Sequence, residues 1–340
     1  MNATLTRRTV LKLLGSLSAL SIVPAGLSAC TGGSSGSQGQ RGGSHKIGVL
    51  QLTKHPALDA SNEGFVKALD EANITYSIDQ QNAQNDQSAC QTIAHKLVND
   101  GNDLILAIST PAAQAVAGAT DEIPIVGTAI TDFASAGLVQ SNDKPGKNVT
   151  GSSDLTPVAD QFDLLVKLLP QAKTVGVLYC TAESNSDVQV KLADQAAANH
   201  GLKLVRYSVS SSNEIQQVVE SMVGKVDVVY TPTDNTIAAG MTTVTMIAND
   251  NKLPTICGEE GMVDNGGLAT YGINYEELGK LAGQMAVKIL KGESKPADMA
   301  IEHLDASKCT LKTNEETAKK LGIDRSEEHT SELQSHELIS

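Results

Sequence analysis

The sequence predicts an α/β fold of two similar doubly wound parallel-sheet domains joined by a hinge. Three observations carry that expectation. From Lys46 onward, short apolar runs alternate with stretches of helical period, the pattern of a parallel sheet covered by helices on both faces. The same succession of runs begins again at Thr174. The body of the chain, roughly 280 residues, is long enough for two domains of ordinary size.

Taken in order, the first apolar run is Lys46–Leu52 (KIGVLQL). A helix is expected over Pro56–Ala72, where Leu58, Phe65, Val66 and Leu69 share one side. A strand follows at Ile74–Asp79, a helix at Ala89–Asn99, a strand at Leu104–Ile108, a helix at Pro111–Ala119 and a strand at Ile123–Val126. In the second half Thr174–Leu178 (TVGVL) answers Lys46–Leu50, and Lys203–Val209 answers the second strand. Ile215–Val223 answers the helix at Cys90–Val98, Asp227–Tyr230 the run Asp103–Leu106, and Leu253–Cys257 the run Ile123–Val126. Each copy should be a sheet of order 2-1-3-4-5 that holds ligands beyond the carboxyl ends of its strands. Two copies facing each other set those ends around one cleft. A strand at Leu268–Ile273 and a helix at Glu276–Lys291 that returns to the first domain would give several crossing segments, which suits closure on a ligand. The expected domains are 46–154 with about 274–297, and 155–273 with about 298–324.

Both ends of the chain read as something other than fold. In residues 1–29, Arg7, Arg8 and Lys12 accompany an apolar run from Val10 to Ala29, an export signal too short and too broken for a spanning helix. It ends in Leu27-Ser28-Ala29-Cys30, which resembles the bacterial lipobox, so Cys30 is expected to carry a lipid. Thr6–Lys12 also resembles a twin-arginine signal, and the export route stays open. Residues 30–45 are mostly Gly, Ser, Gln and Thr, a flexible tether. Residues 325–340 show no periodicity and read as a non-native tail resembling translated sequencing-adapter DNA, so His329 and His336 are not counted as ligands.

Composition narrows the function. The formal net charge is −13, and loss of the signal removes Arg7, Arg8 and Lys12 but no acid, leaving −16. So acidic a chain is no phosphate-backbone binder, and no nucleic-acid partner is expected. Cys90, Cys180, Cys257 and Cys309 match no metal spacing. Cys180 and Cys257 end strands that should have another between them, too far apart for a disulfide, so free thiols are expected. There is no P-loop, no G-x-G-x-x-G after a strand, no G-x-S-x-G and no metal-ligand cluster. No enzyme, cofactor or metal is expected.

The strand ends carry small polar residues, acids and rings. Ser109-Thr110-Pro111, Thr156-Pro157 and Thr231-Pro232 place hydroxyls at helix starts, where free N–H groups can hold a carboxylate. Asp234 and Asn235 follow one strand and Glu259 another, and a buried acid there calls for a cationic partner such as a ligand ammonium. For Asp132 and Glu260 a cap or solvated acid is the simpler reading, though Asp132 is kept as a candidate. Tyr179, Tyr230, Tyr271, Tyr275 and Phe133 cluster at strand ends in a chain with nine aromatics and no Trp, and could pack the apolar part of a ligand.

Several stretches together resemble the ABC-transporter substrate-binding lipoproteins of the type I periplasmic fold, in the group with tryptophan-, phenylalanine- and tyrosine-binding members. They are Gly48–Gln51 with His55–Asp59, Ala107–Gln114, Thr128–Asp132, Asn148–Gly151, Asp154–Pro157, Pro232–Thr236, and Ala269–Tyr275 with Glu277–Gly279. The resemblance covers about Lys46 to Asp324. It implies a cleft ligand of amino-acid type, and Gln51, in one of these stretches, is a candidate to touch it. On the residues themselves, the carboxylate of an L-amino acid, preferably aromatic, is expected at Thr110, Thr128 and Asn185, its ammonium at Asp234 with Glu259 as the second candidate, and its side chain near Tyr179, Phe133 or Tyr275. Two residues depart from the pattern: Phe133 stands where proline is expected, and Gly127 where a larger residue is usual. The implied partners are a small-molecule ligand and an ABC permease. The implied site of action is outside the cytoplasm, lipid-anchored to the bacterial cell membrane, and a monomer is expected. The alternatives are a ligand-sensing lipoprotein without transport, a sugar or nucleoside binder, and a secreted α/β enzyme.

Overall fold

Each half of the chain folds around its own six-stranded sheet. The computed structural model describes residues 44–305 and 308–323. The export signal, Cys30, most of the tether and the 325–340 tail lie outside the described residues. The first lobe begins β1 (His45–Gln51), α1 (Pro56–Glu71), β2 (Tyr76–Asn82), α2 (Gln87–Asn99), β3 (Leu104–Ile108), α3 (Thr110–Ala119), β4 (Ile125–Ile130) and β5 (Val149–Ser153). The second holds α4 (Val158–Leu168), β6 (Thr174–Cys180), α5 (Ser184–Asn199), β7 (Lys203–Val209), α6 (Ile215–Met222), β8 (Val228–Thr231), α7 (Asn235–Ala239), α8 (Met241–Asp250), β9 (Thr255–Cys257), α9 (Glu260–Asp264) and β10 (Ala269–Gly272). The chain then adds α10 (Tyr275–Leu290), β11 (Glu302–His303), β12 (Thr310–Thr313) and α11 (Glu315–Leu321).

The sheets run β2-β1-β3-β4-β5-β11 and β7-β6-β8-β9-β10-β12. The expected 2-1-3-4-5 order is present in both, each extended by one edge strand, with β12 antiparallel to β10. Burial explains the register of apolar runs. All of β3 (LILAI) and β4 (IVGTAI) is buried, as central parallel strands must be, while β2 and β7 at the edges are mostly half-buried or exposed. β2 starts two residues later than the apolar pattern suggests, because Asn73 takes a left-handed φ of 54° to turn the chain out of α1. β4 runs on past Val126 through a bulge between Gly127 and Ile130, with Ala129 at φ 54°. β6 and β9 end in Cys180 and Cys257 with β8 between them, and the four described cysteines are free.

The chain passes between lobes three times, after β5, after β10 and after β11. Because β11 pairs with β5, the first lobe keeps the chain as far as His303, beyond the limit near 297 read from the sequence. α10 belongs to the first lobe and lies directly on α1. A Cβ on Gly64 would stand 1.9 Å from the Glu276 carbonyl oxygen, and one on Gly279 would stand 1.9 Å from that of Ser61. Only glycine lets the two backbones approach so closely. The Ser152 hydroxyl donates to the Leu278 carbonyl at 3.0 Å, tying α10 to the sheet as well. These contacts hold Tyr275, the first residue of α10, at the carboxyl ends of the strands.

Candidate functional site

The carboxyl ends of the two sheets meet around one small cavity. From the first lobe it is lined by His55 on the loop after β1, Leu58 of α1, Ala129 on the β4 bulge, Thr131 and Asp154. The second lobe contributes Asn185, Thr233, Asp234, Asn235, Ala238 and Glu259, and Tyr275 stands where α10 begins. The free volume is ≈ 10 Å³, room for about one water. A larger depression, ≈ 740 Å³, opens at the amino ends of the second sheet's strands, the end at which such sheets do not hold ligands. Among the described residues no cluster of His, Cys, Asp or Glu could hold a metal ion.

Two buried carboxylates in the cavity are half satisfied. Asp154 accepts from the Tyr275 hydroxyl at 2.9 Å through Oδ2, while Oδ1 is buried without a partner. Glu259 caps α9 by accepting from the Gly261 N–H at 2.5 Å through Oε2, and its Oε1 has no partner. Burial disfavours their charged forms, pushing Asp154 up to about 6 and Glu259 up to about 7. Asn185 Oδ1 and His55 Nδ1 are also buried and unpartnered. Unmet buried acceptors are costly, and several on one cavity call for donors from elsewhere.

Asp234 also lines the cavity but is fully engaged. Its Oδ2 accepts from the Cys180 N–H and the Ser186 hydroxyl, both at 2.6 Å, and Oδ1 caps α7 through the Ile237 N–H at 2.9 Å. Burial and the neighbouring Glu183 push its pKa upward. Glu183 lies behind it, buried, and grips the start of α7 through the N–H groups of Asn235 and Thr236.

Of the residues read from sequence, Asn185, Asp234, Asn235, Glu259 and Tyr275 come together on the cavity. Gln51 braces the loop that carries His55, donating to Thr53 O at 2.7 Å and Asp59 Oδ1 at 2.6 Å. Thr128 is buried between β4 and β5, bonded to Ser152. Thr110 opens α3 beside Ser109, whose φ of 97° is a conformation that non-glycine residues rarely adopt, and the Thr110 hydroxyl is buried without a partner. Asp132 is a cap, accepting from the Ser135 N–H at 2.5 Å and from Asn142 Nδ2 at 2.9 Å. Tyr179 packs into the second lobe's core. Phe133 is wholly buried, and its ring carbons lie 2.9 and 3.1 Å from where a Cβ on Gly127 would stand. The two residues expected to depart from the family pattern thus pack against each other, with the ring filling space that the glycine leaves. His55, Asp154 and Thr131 were missed, although His55 and Asp154 each begin a stretch on which the resemblance rests.

The lobes touch around the cavity through polar side chains. Asn85 Nδ2 donates to Thr236 Oγ1 at 2.9 Å, Gln87 Nε2 to the Ala182 carbonyl at 2.6 Å, and Gln114 Nε2 to Ser184 Oγ at 3.3 Å. His55 Nε2 meets Asn235 Oδ1 at 3.2 Å, and Gln189 Nε2 donates to Thr131 Oγ1 at 3.3 Å. Such groups can exchange partners with water, so this contact can open at small cost.

Known proteins resemble the chain closely. The family model for ABC transporter substrate binding proteins matches residues 46–336. A protein of Clostridioides difficile called tyrosine-binding protein is 45% identical over 283 residues, 82% of this chain and 81% of that one. The solved structure of an ABC domain from Streptococcus pneumonia in complex with L-Trp is 40% identical, with a TM-score of 0.82 over 85% of this chain and 98% of that one. A ligand-free, open structure of a substrate-binding protein with adhesive properties from Clostridium difficile is 47% identical, with a TM-score of 0.64 over 83% and 96% of the two chains.

Proposed function

Since the chain belongs to the family of ABC transporter substrate-binding proteins, with the type I periplasmic-binding fold, we propose that its cleft captures an aromatic L-amino acid for delivery to a permease. The observation that carries this reading is the set of unpartnered oxygens on one cavity: Asp154 Oδ1, Glu259 Oε1 and Asn185 Oδ1. An ammonium brings three N–H donors and the positive charge that two buried carboxylates lack. Tyr275 and Leu58 supply a wall for a ring, and relatives with tyrosine and L-Trp in their descriptions support the aromatic choice. The carboxylate falls to the unpartnered Thr110 hydroxyl at the start of α3. Asp234, its oxygens already taken, serves the site by fixing α7.

An amino acid is far larger than the free space between the lobes, so capture requires them to part and close again. The whole chain superposes better on the L-Trp complex, TM-score 0.82, than on the ligand-free, open structure, 0.64, although the sequence is nearer the latter. That supports a closing motion about the three crossing segments. Calorimetric titration with L-tyrosine, L-tryptophan and L-phenylalanine should give saturable binding, and saturation should lower the radius of gyration in solution scattering. If all three fail while a sugar or nucleoside binds, the amino-acid reading is lost. An unchanged radius at saturation removes the closing motion.

As a substrate-binding protein of an ABC transporter, the chain works outside the cytoplasm, and none of its described helices is long and apolar enough to cross a membrane. We infer that a lipid on Cys30 holds it, as a monomer, near its permease, supported by Leu27-Ser28-Ala29-Cys30 and the polar segment that follows. Cys30→Ala should release the protein from the membrane fraction or block its processing. A variant that still sediments with membranes would refute the anchor.

A further inference from the structure

We propose that Glu183, which does not line the cavity, sets the hydrogen-bond polarity of the cleft and makes it a site for ligands that bring donors. Glu183 is buried between β6 and α5, and each of its oxygens accepts a backbone N–H: Oε2 from Asn235 at 3.1 Å and Oε1 from Thr236 at 2.8 Å. Both oxygens are therefore acceptors, and the side-chain atoms turned toward them must be donors. Asn235 Nδ2 meets Oε2 at 2.5 Å and Asn185 Nδ2 meets it at 3.3 Å. The Thr236 hydroxyl donates to Oε1 at 2.7 Å, which leaves that hydroxyl oxygen to accept from Asn85 across the cleft.

Two amide orientations follow, and with them a tautomer. With its nitrogen held by Glu183, Asn235 presents Oδ1 to His55 Nε2 at 3.2 Å. An oxygen there requires the proton on Nε2, so His55 is the Nε2–H tautomer and its Nδ1 is a bare acceptor. Asn185, held the same way, keeps Oδ1 as its unpartnered atom. The four unpartnered side-chain atoms among the residues lining the cavity are His55 Nδ1, Asp154 Oδ1, Asn185 Oδ1 and Glu259 Oε1, and all four accept. Three match an ammonium. The fourth selects a ligand with one donor more, such as a phenol O–H or an indole N–H, over one whose ring has none. This selectivity rests on the amino-acid reading above, whereas the tautomer does not.

The tautomer is read without ligand, from the imidazole ¹⁵N resonances of His55 in long-range ¹H–¹⁵N spectra. The wild type should show a protonated Nε2 and an unprotonated Nδ1. Glu183→Gln puts an N–H₂ group among donors, so Asn235 should flip and the tautomer should reverse, a change that mere loosening of the fold would not produce. An Nδ1–H tautomer or an imidazolium at neutral pH in the wild type overturns the proposal, and that spectrum decides even if the variant fails to fold. A folded variant with an unchanged tautomer overturns the role of Glu183. In titrations of the wild type, L-tyrosine should bind at least about tenfold more tightly than L-phenylalanine or 3-(4-hydroxyphenyl)propanoate, because each analogue strands a buried acceptor. Equal affinity for tyrosine and phenylalanine overturns the selective role of His55. Should no amino acid bind, the reading of the ligand fails, and the tautomer still decides the polarity proposal.

Discussion

Replacing both half-satisfied carboxylates, Asp154→Asn with Glu259→Gln, should weaken binding of the aromatic amino acid by roughly 10²- to 10⁴-fold. A charge-assisted hydrogen bond in a closed site contributes about 1.5–3 kcal/mol, and 1.4 kcal/mol is a factor of about ten in affinity. Each single variant should therefore cost at least about tenfold, with the pair short of strict additivity because both act on one ammonium. The exchanges are nearly isosteric, so shape is kept while the charge is removed and an N–H₂ donor takes the place of the free acceptor oxygen. Asp154→Asn keeps an oxygen for the Tyr275 hydroxyl, and Glu259→Gln keeps one for the Gly261 N–H. Asp234→Ala makes the useful contrast. It removes the cap on the Ile237 N–H of α7 and the acceptor of the Cys180 N–H and the Ser186 hydroxyl, so it should lower unfolding stability by at least about 1–2 kcal/mol, the ordinary cost of a lost cap. Calorimetry on these four variants and the wild type separates the roles. A double variant that binds within threefold of the wild type would remove Asp154 and Glu259 from the ligand.

The doubled fold was legible because central parallel strands must be apolar along their whole length, and such runs, repeated in order, leave little choice of topology. What a run of apolar residues does not carry is its limits. The left-handed Asn73 that delays β2 and the bulge that extends β4 are backbone events, with no hydrophobic signature. The site was legible where ligands of such sheets are bound, so Asn235 and Glu259 could be found from the strands they follow. Sequence alone could not say which acid is spent on the fold. Asp234 and Glu259 both follow strands and both cap helices, yet only Glu259 keeps a free oxygen, because Cys180 N and Ser186 reach Asp234 from elements far away in the chain. The rings misled for a similar reason. Alternation along a strand decides whether a ring faces core or cleft, and Tyr179 falls on the core side. Glu183 carries no motif at all. Its importance lies in the five groups that converge on it, which only the folded chain assembles.

Glu259→Gln should also stabilise the unliganded protein at pH 8 while it weakens binding, so that one substitution moves fold and function in opposite directions. In the folded chain Glu259 stands at about 7 against an ordinary 4.5, and Asp154 at about 6 against 3.8, both because burial disfavours charge. The folded state thus holds these protons more tightly than the unfolded chain. Their contribution to stability is fully present below about pH 4 and is lost as pH rises through 6 and 7. At pH 8 the Glu259 charge costs up to about 3 kcal/mol, taking 1.36 kcal/mol for each pKa unit, and glutamine removes that cost without emptying the space. At pH 4 the acid is already neutral, and the variant should match the wild type. A ligand ammonium offsets the same charge, so saturating ligand should abolish the advantage at pH 8 or reverse it. Chemical denaturation of both proteins at pH 4 and pH 8, with and without ligand, tests the whole scheme. A glutamine variant less stable than the wild type at pH 8, or equally favoured at both pH values, would mean that the Glu259 carboxylate finds its compensation inside the protein, leaving no reason to assign it to a ligand.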